Sequence, residues 1–109
     1  MSYENMEWNV YLIQNEVNGK GYVGITTKSI DARLDEHVMD ASRGSRNTLH
    51  AAINKYGSKE STIDILDIAD GLTEAQQLET YYIDNLNTYA SGPLPRNGYN
   101  MSYGGEEPD

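Results

Sequence analysis

The sequence predicts an α+β domain with a small, mainly antiparallel three-stranded sheet flanked by helices. Three segments are rich in β-branched and aromatic residues, which is typical of strands, and three others carry apolar residues at helical spacing. Their order, β-β-α-α-β-α followed by a tail, is typical of an α+β domain. At 109 residues the chain suits a single domain, 1–109, with a core expected from about residue 8 to 105 and short flexible ends.

The first two predicted strands, "WNVYLIQ" and "GYVGIT", flank an Asn18-Gly19 pair, the strongest short signal for a two-residue hairpin turn. In a regular turn of this kind, residue i lies opposite residue 37 − i, so Asn15 is expected opposite Tyr22. Tyr11 then shares a face with Tyr22 at an offset of roughly 13 Å along the strand. The two rings would be too far apart to touch but could flank a ligand.

The stretch "GKGYVGIT" places three glycines in and beside the second strand. Glycine weakens a strand interior unless the backbone must bend or something must approach it closely. We expect Gly21 and Gly24 to let the strand bend and let a phosphate approach beside Tyr22. The alternative is a bulge with no ligand. In the third predicted strand Ile63 and Ile65 alternate with polar residues.

The first helix is predicted within "TTKSIDARLDEHVMDAS", with Thr27 or Ser29 as its N-cap. Residues at helical spacing form its apolar stripe: Ile30, Leu34, Val38 and Ala41. Arg33 and His37 are four residues apart, so they stack at the edge of that stripe.

The second helix, in "NTLHAAINKYG", is predicted to start at an Asn47 cap and to end at Gly57. Its inward residues are predicted to be Leu49, Ala52, Ile53 and Tyr56, and His50 is expected to face solvent. The third and longest helix, "LTEAQQLETYYIDNLN", is predicted to begin with a capping box from Thr73 to Gln76. The tail from Ser91 is rich in Pro and Gly, and its "GYNMSYGG" is expected to add only a short extended segment.

The net charge of −9, taken as a single number, argues against a nucleic-acid-binding protein. Its distribution is uneven, however. Residues 20–59 hold seven of the eight basic residues and four acids, a local charge of +3, and residues 60–109 carry −9. This asymmetry predicts one locally basic face on an acidic body.

The chain has no cysteine, which excludes disulfides and thiolate metal sites. It has no apolar run long enough to cross a bilayer and no basic-then-apolar start typical of a secretory signal. The sequence therefore predicts an intracellular protein with no membrane partner.

An ordered set of motifs resembles the GIY-YIG nuclease domain. "NVYLIQN" is followed by "YVG", then by "RLDEH", "INKYG", "LETYYIDNL" and "GYNMSYGG", in that family's order and at comparable spacings. The resemblance covers about residues 9–105, and the tail and size look most like the phage homing-endonuclease branch. In the first motif, Asn9 and Val10 stand where the family has glycine and isoleucine.

The resemblance implies specific roles for matching residues. The catalytic set it implies is Tyr11, Tyr22, Arg33, His37 and Glu79, with Glu79 as the metal ligand. Gly24 closes the second motif and Asn100 matches the asparagine of the last one. The implied cofactor is Mg²⁺ or Mn²⁺. The implied partner is double-stranded DNA, bound with the help of a separate or fused DNA-binding domain.

Each of these residues also has an ordinary structural reading. Glu79 shares a helix side with Ala75 and Ile83, so its carboxylate is expected to point toward the buried edge. A hard cation there would compensate the cost of burying its negative charge. The alternative is that Glu79 lies on the helix surface in an ion pair with Arg or Lys. Arg33 offers a planar fork for phosphate, or forms a surface salt bridge with Asp35, Glu36 or another acid.

The remaining candidates also have two readings. His37 either takes part in proton transfer or orients a tyrosine, unless it is a structural histidine. Tyr11 and Tyr22 could orient or deprotonate a water, but only with a cation nearby, since a phenol titrates near pH 10. Lys55 could contact a DNA phosphate or simply be solvated, and Asn100 could bind substrate or hold the tail.

The sequence thus predicts a metal-dependent DNA endonuclease that hydrolyses phosphodiester bonds, as the catalytic module of a homing-type endonuclease. The alternative is a catalytically silent GIY-YIG-like interaction module, which the acidic body favours and the complete set of catalytic-type residues opposes. The oligomeric state is left open.

Overall fold

The computed structural model describes residues 2–45, 47–90 and 98–104. A three-stranded antiparallel sheet in the order β2-β1-β3 is combined with three α-helices, which confirms the predicted fold class and element order. The elements are β1 (Glu7–Asn15), β2 (Gly21–Thr26), α1 (Ile30–Ser42), α2 (Thr48–Tyr56), β3 (Ser61–Asp70) and α3 (Leu72–Asn85), with single 3-10 turns at Tyr3–Asn5 and Ser58–Glu60. Across these described ranges, no helix has both the length and the apolar character needed to traverse a bilayer.

The register of the β1–β2 hairpin differs from the prediction by two residues. Tyr22 lies opposite Ile13 rather than opposite Asn15, and the Asn15 N–H donates to the Lys20 carbonyl at 2.9 Å. An even shift leaves every side chain on its predicted face, because successive strand residues alternate. It brings Tyr11 and Tyr22 closer, however, so that their ring centroids are 6.4 Å apart. The expectation that these rings are too far apart to touch was therefore wrong.

The hairpin loop itself explains the shift. Asn15 and Asn18 each accept, through the side-chain oxygen, the backbone N–H two residues further on. Both side-chain amides also donate to the Tyr99 hydroxyl, at 3.1 and 3.0 Å. Gly19 has φ of +75°, as a tight turn requires. These contacts favour a four-residue loop, and Tyr99 lies too far along the chain for a local turn signal to include it.

Two apolar layers cover the two faces of the sheet. On one face Trp8 and Val10 pack with α3 residues such as Ala75 and Ile83. On the other face Tyr11 and Ile13 pack against α1 and α2, joined by the predicted stripes of those helices. Because β1 is the central strand, its alternate residues enter both cores.

The helix caps divide into local and distant ones. Ser29 caps α1 and Asn47 caps α2, each accepting an N–H three residues on, and Gly57 follows the last turn of α2, all as predicted. The predicted capping box of α3 was wrong. The helix starts after Gly71, and the N–H of Thr73 donates instead to the Glu4 carboxylate at 3.1 Å. An acid at a helix N-terminus also interacts favourably with the helix dipole.

The tail segment 98–104 closes the outer edge of β2. Gly98 forms a parallel bridge to Gly21, and the Tyr99 N–H donates to the Gly21 carbonyl at 2.8 Å. The Asn100 side chain then acts as a substitute strand: its Oδ1 accepts from the Val23 N–H and its Nδ2 donates to the Val23 carbonyl, both at 2.8 Å. This confirms the predicted short extended segment within the described residues; positions 91–97 of the predicted tail lie outside them.

Gly24 is required by its cross-strand neighbour. It lies opposite Tyr11, and a Cβ added to Gly24 would be 2.3 Å from the Tyr11 hydroxyl oxygen. We therefore expect Gly24→Ala to lower the free energy of unfolding by about 1–3 kcal/mol, the usual cost of overpacking. Urea denaturation measures this loss.

Gly21→Ala is the matched control on the same strand. Its added Cβ would meet the flexible end of Leu12 at 2.9 Å, which can move aside, so a smaller loss is expected. Equal losses for the two variants would contradict the assigned constraint.

Candidate active site

One cleft collects most of the predicted site residues. It has a volume of about 310 Å³ and lies where α1, α3 and the tail meet at the β2 side of the sheet. The predicted residues that line it are Tyr11, Tyr22, Gly24, Arg33, Glu79 and Asn100. His37 lies behind Tyr11, in contact with its hydroxyl. Lys55 is not among the lining residues: it is exposed at the end of α2, 5.2 Å from the Tyr56 ring centroid.

Tyr11 is the buried centre of the cleft wall. It is 1% exposed, and its hydroxyl lies 2.9 Å from His37 Nε2. Burial raises the pKa of this hydroxyl well above its usual range, and the neighbouring Tyr22 adds to the effect while Arg33 opposes it. Tyr11 is therefore a neutral phenol that is hydrogen-bonded to His37 and lies near the Arg33 charge.

Tyr22 and His37 complete an aromatic wall with Tyr11. The Tyr22 ring lies edge-on to His37 at a centroid distance of 5.5 Å, and Tyr22 is only partly buried. The corrected hairpin register brings these rings into contact. The wall holds one hydroxyl deep in the protein and a second on a ring that borders the cleft.

Arg33 forms the salt bridge that was one of its two readings, and its role in phosphate binding stays a prediction. Its guanidinium forms an ion pair with Glu36 at 3.3 Å, and Glu36 also pairs with Lys28. The Arg33 side chain is 20% exposed and lines the cleft, so the ion pair places the guanidinium there rather than in open solvent. Such a planar fork suits two oxygens of one phosphate.

Glu79 reaches the cleft from α3. The residues one turn away on each side, Ala75 and Ile83, are fully buried, which confirms that this side of the helix faces inward. The tail passes close to the carboxylate: a Cβ added to Gly104 would lie 2.7 Å from Glu79 Oε1. The negative charge of Glu79 contributes to the raised Tyr11 pKa, so the two groups interact electrostatically.

The carboxylates that line the cleft suit a metal ion that takes most of its ligands from water and substrate. Its lining carboxylates are Glu36 and Glu79, and within the described ranges no three acid, histidine or cysteine side chains group to hold an ion. Glu36 is already paired with two basic side chains. A cage of protein ligands is therefore not built among these residues, but Mg²⁺ is commonly held by one or two carboxylates with water and substrate phosphate. Glu79 fits that role.

His50 was predicted to face solvent, and that prediction was wrong. It is 4% exposed, and its Nε2 lies 2.8 Å from Nδ1 of His37, itself 2% exposed. Its Nδ1 lies 2.6 Å from Ser45 Oγ. The only sequence signal was its position between Leu49 and Ile53, at the edge of the apolar stripe. The pairing with His37 joins two helices and could not be read from either one.

Burial lowers the pKa of both histidines. For His37 burial is the main cause and the nearby Arg33 charge adds to it, bringing its pKa to about 3. For His50 burial again lowers the pKa, opposed by Asp40 and assisted by Arg33. Both imidazoles are therefore neutral near pH 7, so His37 acts there as a hydrogen-bonding partner of Tyr11 rather than as a cation.

Gly24 and Asn100 take part in building the site. The space above Gly24, where a phosphate was expected to approach, holds the Tyr11 hydroxyl. Both acceptor positions of Asn100 Oδ1 are used, by the Val23 N–H and the Thr88 hydroxyl. These contacts agree with a tail-holding role for Asn100, and a direct role in substrate binding stays a prediction for both residues.

An arginine, a carboxylate and two tyrosines thus line one cleft of this α+β fold. Residues 7–100 match the GIY-YIG catalytic domain family, and the chain belongs to that family. Among solved structures, the catalytic domain of homing endonuclease I-TevI is 28% identical, covers 87% of this chain and 98% of its own, and superposes with a TM-score of 0.71. A mutant of the catalytic domain of intron endonuclease I-TevI is 27% identical, covers 89% of this chain and 95% of its own, and superposes with a TM-score of 0.72.

A curated relative is also similar in sequence. "Uncharacterized protein 019R" of Invertebrate iridescent virus 6 is 32% identical over 84 residues, which are 72% of this chain. The match spans only 30% of that relative's length.

The lowered histidine pKa values predict how stability depends on pH. In the unfolded chain a histidine binds a proton below about pH 6.5, whereas folded His37 does so only near pH 3. The unfolded state therefore binds more protons in this window, and the free energy of unfolding should fall as pH drops below 6.5. His37 alone accounts for about 1.4 kcal/mol between pH 7.5 and 5.5.

Urea unfolding at pH 7.5, 6.5 and 5.5 measures this slope, since carboxylates stay ionised over that range. His37→Gln, which cannot take up the proton, should show a shallower slope. A wild-type stability that is flat over these pH values would contradict the assignment of neutral, buried histidines.

Proposed function

We propose that this domain is a metal-dependent DNA endonuclease that hydrolyses phosphodiester bonds, as the catalytic module of a homing-type endonuclease. The observation that carries the proposal is the convergence of Tyr11, Tyr22, Arg33 and Glu79 on one cleft from four different elements. Two solved structures of similar fold are named as catalytic domains of an intron or homing endonuclease. A structural scaffold alone would not need this combination of groups.

The groups divide the work of phosphodiester hydrolysis. Arg33 grips two oxygens of the scissile phosphate and offsets their charge. Glu79 would hold a divalent cation, Mg²⁺ or Mn²⁺, which when bound would supply Lewis-acid catalysis at the scissile phosphate. Tyr22 borders the open part of the cleft and orients the attacking water, and Tyr11, hydrogen-bonded to His37, accepts the proton of that water.

The charge of the cleft indicates that the domain needs another DNA-binding element to bind DNA tightly. Its charged lining residues are Lys28, Arg33, Glu36 and Glu79, two of each sign. Affinity for DNA rises with the number of phosphates that basic groups neutralise, so this cleft contributes little on its own. The partner in this proposal is double-stranded DNA, delivered by a separate or fused DNA-binding domain.

Supercoiled plasmid tests the function and the role of Glu79 together. The wild-type domain should nick or linearise plasmid with Mg²⁺ or Mn²⁺, and EDTA should stop the reaction. Glu79→Gln should slow cleavage by about 100-fold or more, because a catalytic metal supplies several kcal/mol of transition-state stabilisation.

Asp84→Asn is the matched control, since it removes the same charge from an exposed position of the same helix. It should cleave at the wild-type rate. Undiminished cleavage by folded Glu79→Gln would remove Glu79 from the metal site, and DNA binding by the wild type without cleavage would favour a silent interaction module.

Arg33→Lys tests the phosphate grip. A lysine keeps the charge but not the planar fork, so this variant should lose nearly as much activity as Arg33→Ala. Arg43→Lys, at the exposed end of α1, is the control and should be fully active. Near-normal single-turnover rates for Arg33→Lys would reduce Arg33 to general electrostatics.

A further inference from the structure

A continuous line of polar side chains leads from Tyr11 out of the cleft. The Tyr11 hydroxyl lies 2.9 Å from His37 Nε2, His37 Nδ1 lies 2.8 Å from His50 Nε2, and His50 Nδ1 lies 2.6 Å from Ser45 Oγ. Tyr11 lines the cleft, whereas the other three residues are not among its lining residues. The line therefore starts at the reacting side and ends elsewhere.

Burial isolates the middle of this line from water. His37 and His50 are 2% and 4% exposed, and Ser45 is only partly buried. The two rings come from different helices, α1 and α2, and Ser45 belongs to the connection between them. Solvent meets the line at Ser45 rather than at either ring.

The hydrogen bonds of the line restrict its protons. A neutral imidazole carries one N–H and one bare nitrogen, and both nitrogens of both rings are engaged here. One hydrogen between the rings requires the same tautomer in both: either both carry the proton on Nδ1 or both carry it on Nε2. When both rings change from the Nδ1–H tautomer to the Nε2–H tautomer, one proton is transferred along the line.

We propose that His50 and Ser45 connect the Tyr11–His37 pair to solvent as a proton relay. The relay rests on the proposed nuclease function, in which Tyr11 accepts the proton of the attacking water. As the water O–H breaks and a new O–H forms on Tyr11, the original Tyr11 proton moves to His37 Nε2.

The remaining transfers balance along the line. His37 passes its Nδ1 proton to His50 Nε2, His50 passes its Nδ1 proton to Ser45 Oγ, and Ser45 releases its own proton to solvent. One proton has left the cleft and both rings have changed tautomer. The reverse transfer, with the Tyr11 proton going to an oxygen in the cleft, restores the starting arrangement. Since neither His50 nor Ser45 touches substrate, both are positioning residues.

His50→Gln and Ser45→Ala test the relay on plasmid with Mg²⁺. Glutamine at position 50 can still accept the hydrogen bond from His37, but it cannot carry a proton across. Each variant should cut the single-turnover rate by about 10-fold, a part of the usual general acid–base contribution, with DNA binding unchanged. Ser45→Thr keeps the hydroxyl and should restore the rate.

Ser42→Ala is the control, because it removes an exposed hydroxyl bonded only locally to the Met39 carbonyl. The deciding measurement is the solvent isotope effect in mixtures of H₂O and D₂O. The wild type should show a curved dependence on deuterium fraction, from several protons in flight, and both relay variants a linear one. Unchanged rates, or slower rates with unchanged curvature, would overturn the relay while leaving the nuclease function in place.

A second measurement does not depend on cleavage. Long-range ¹H–¹⁵N NMR on the labelled wild-type protein reports the tautomer of each imidazole. His37 and His50 should show the same tautomer, and Ser45→Ala should shift the nitrogen signals of both. Opposite tautomers, or a doubly protonated ring at neutral pH, would overturn the proposal. Absence of plasmid cleavage by the wild type would instead refute the nuclease function.

Discussion

The Tyr11 side chain lies across Gly24, its partner on the neighbouring strand, and this contact buries a hydroxyl in the middle of the protein. A buried hydroxyl without partners costs a few kcal/mol, so the surrounding elements must supply them. Helix α1 does so through His37, and it also places the Arg33 charge nearby. The position of α1 against the sheet, and with it the orientation of the guanidinium in the cleft, thus depends on one cross-strand pair.

The same requirement extends into α2. His37 uses one ring nitrogen for Tyr11, and its other nitrogen, equally buried, is satisfied by His50. His50 in turn is satisfied by Ser45 on the connection between the helices. Each buried polar group therefore needs the next one as a hydrogen-bond partner, and the series ends at the partly exposed Ser45 hydroxyl. The α1–α2 arrangement is therefore specified by polar contacts as well as by the apolar stripes.

The other side of the cleft is closed by the tail. Asn100 uses its side-chain amide as a strand would use its backbone, so the outer edge of β2 is paired at Val23. Further along, Gly104 brings the tail backbone close to the Glu79 carboxylate. An edge that would otherwise be open for pairing with another chain becomes one wall of the site.

Several patterns that depend on near neighbours were read correctly from the sequence. The helix caps at Ser29 and Asn47, the apolar stripes of α1 and α2, and the shared face of Tyr11 and Tyr22 follow from spacings within one or two turns or along one hairpin. The family resemblance, carried by ordered motifs, identified six of the residues that line the cleft. These features need no knowledge of how distant segments pack.

The tertiary structure decided the contacts between segments that are far apart in sequence. Tyr99 shifts the hairpin register, Glu4 replaces the expected cap of α3, and His37 draws His50 into the interior. At the hairpin and at His50 a local preference worth about 1 kcal/mol competes with a buried polar group, whose requirements are at least as large. At α3 the competing contact is an exposed one, from the Thr73 N–H to the Glu4 carboxylate. The distant partner wins because only the assembled fold brings it within hydrogen-bonding distance, and a linear sequence carries no measure of that distance.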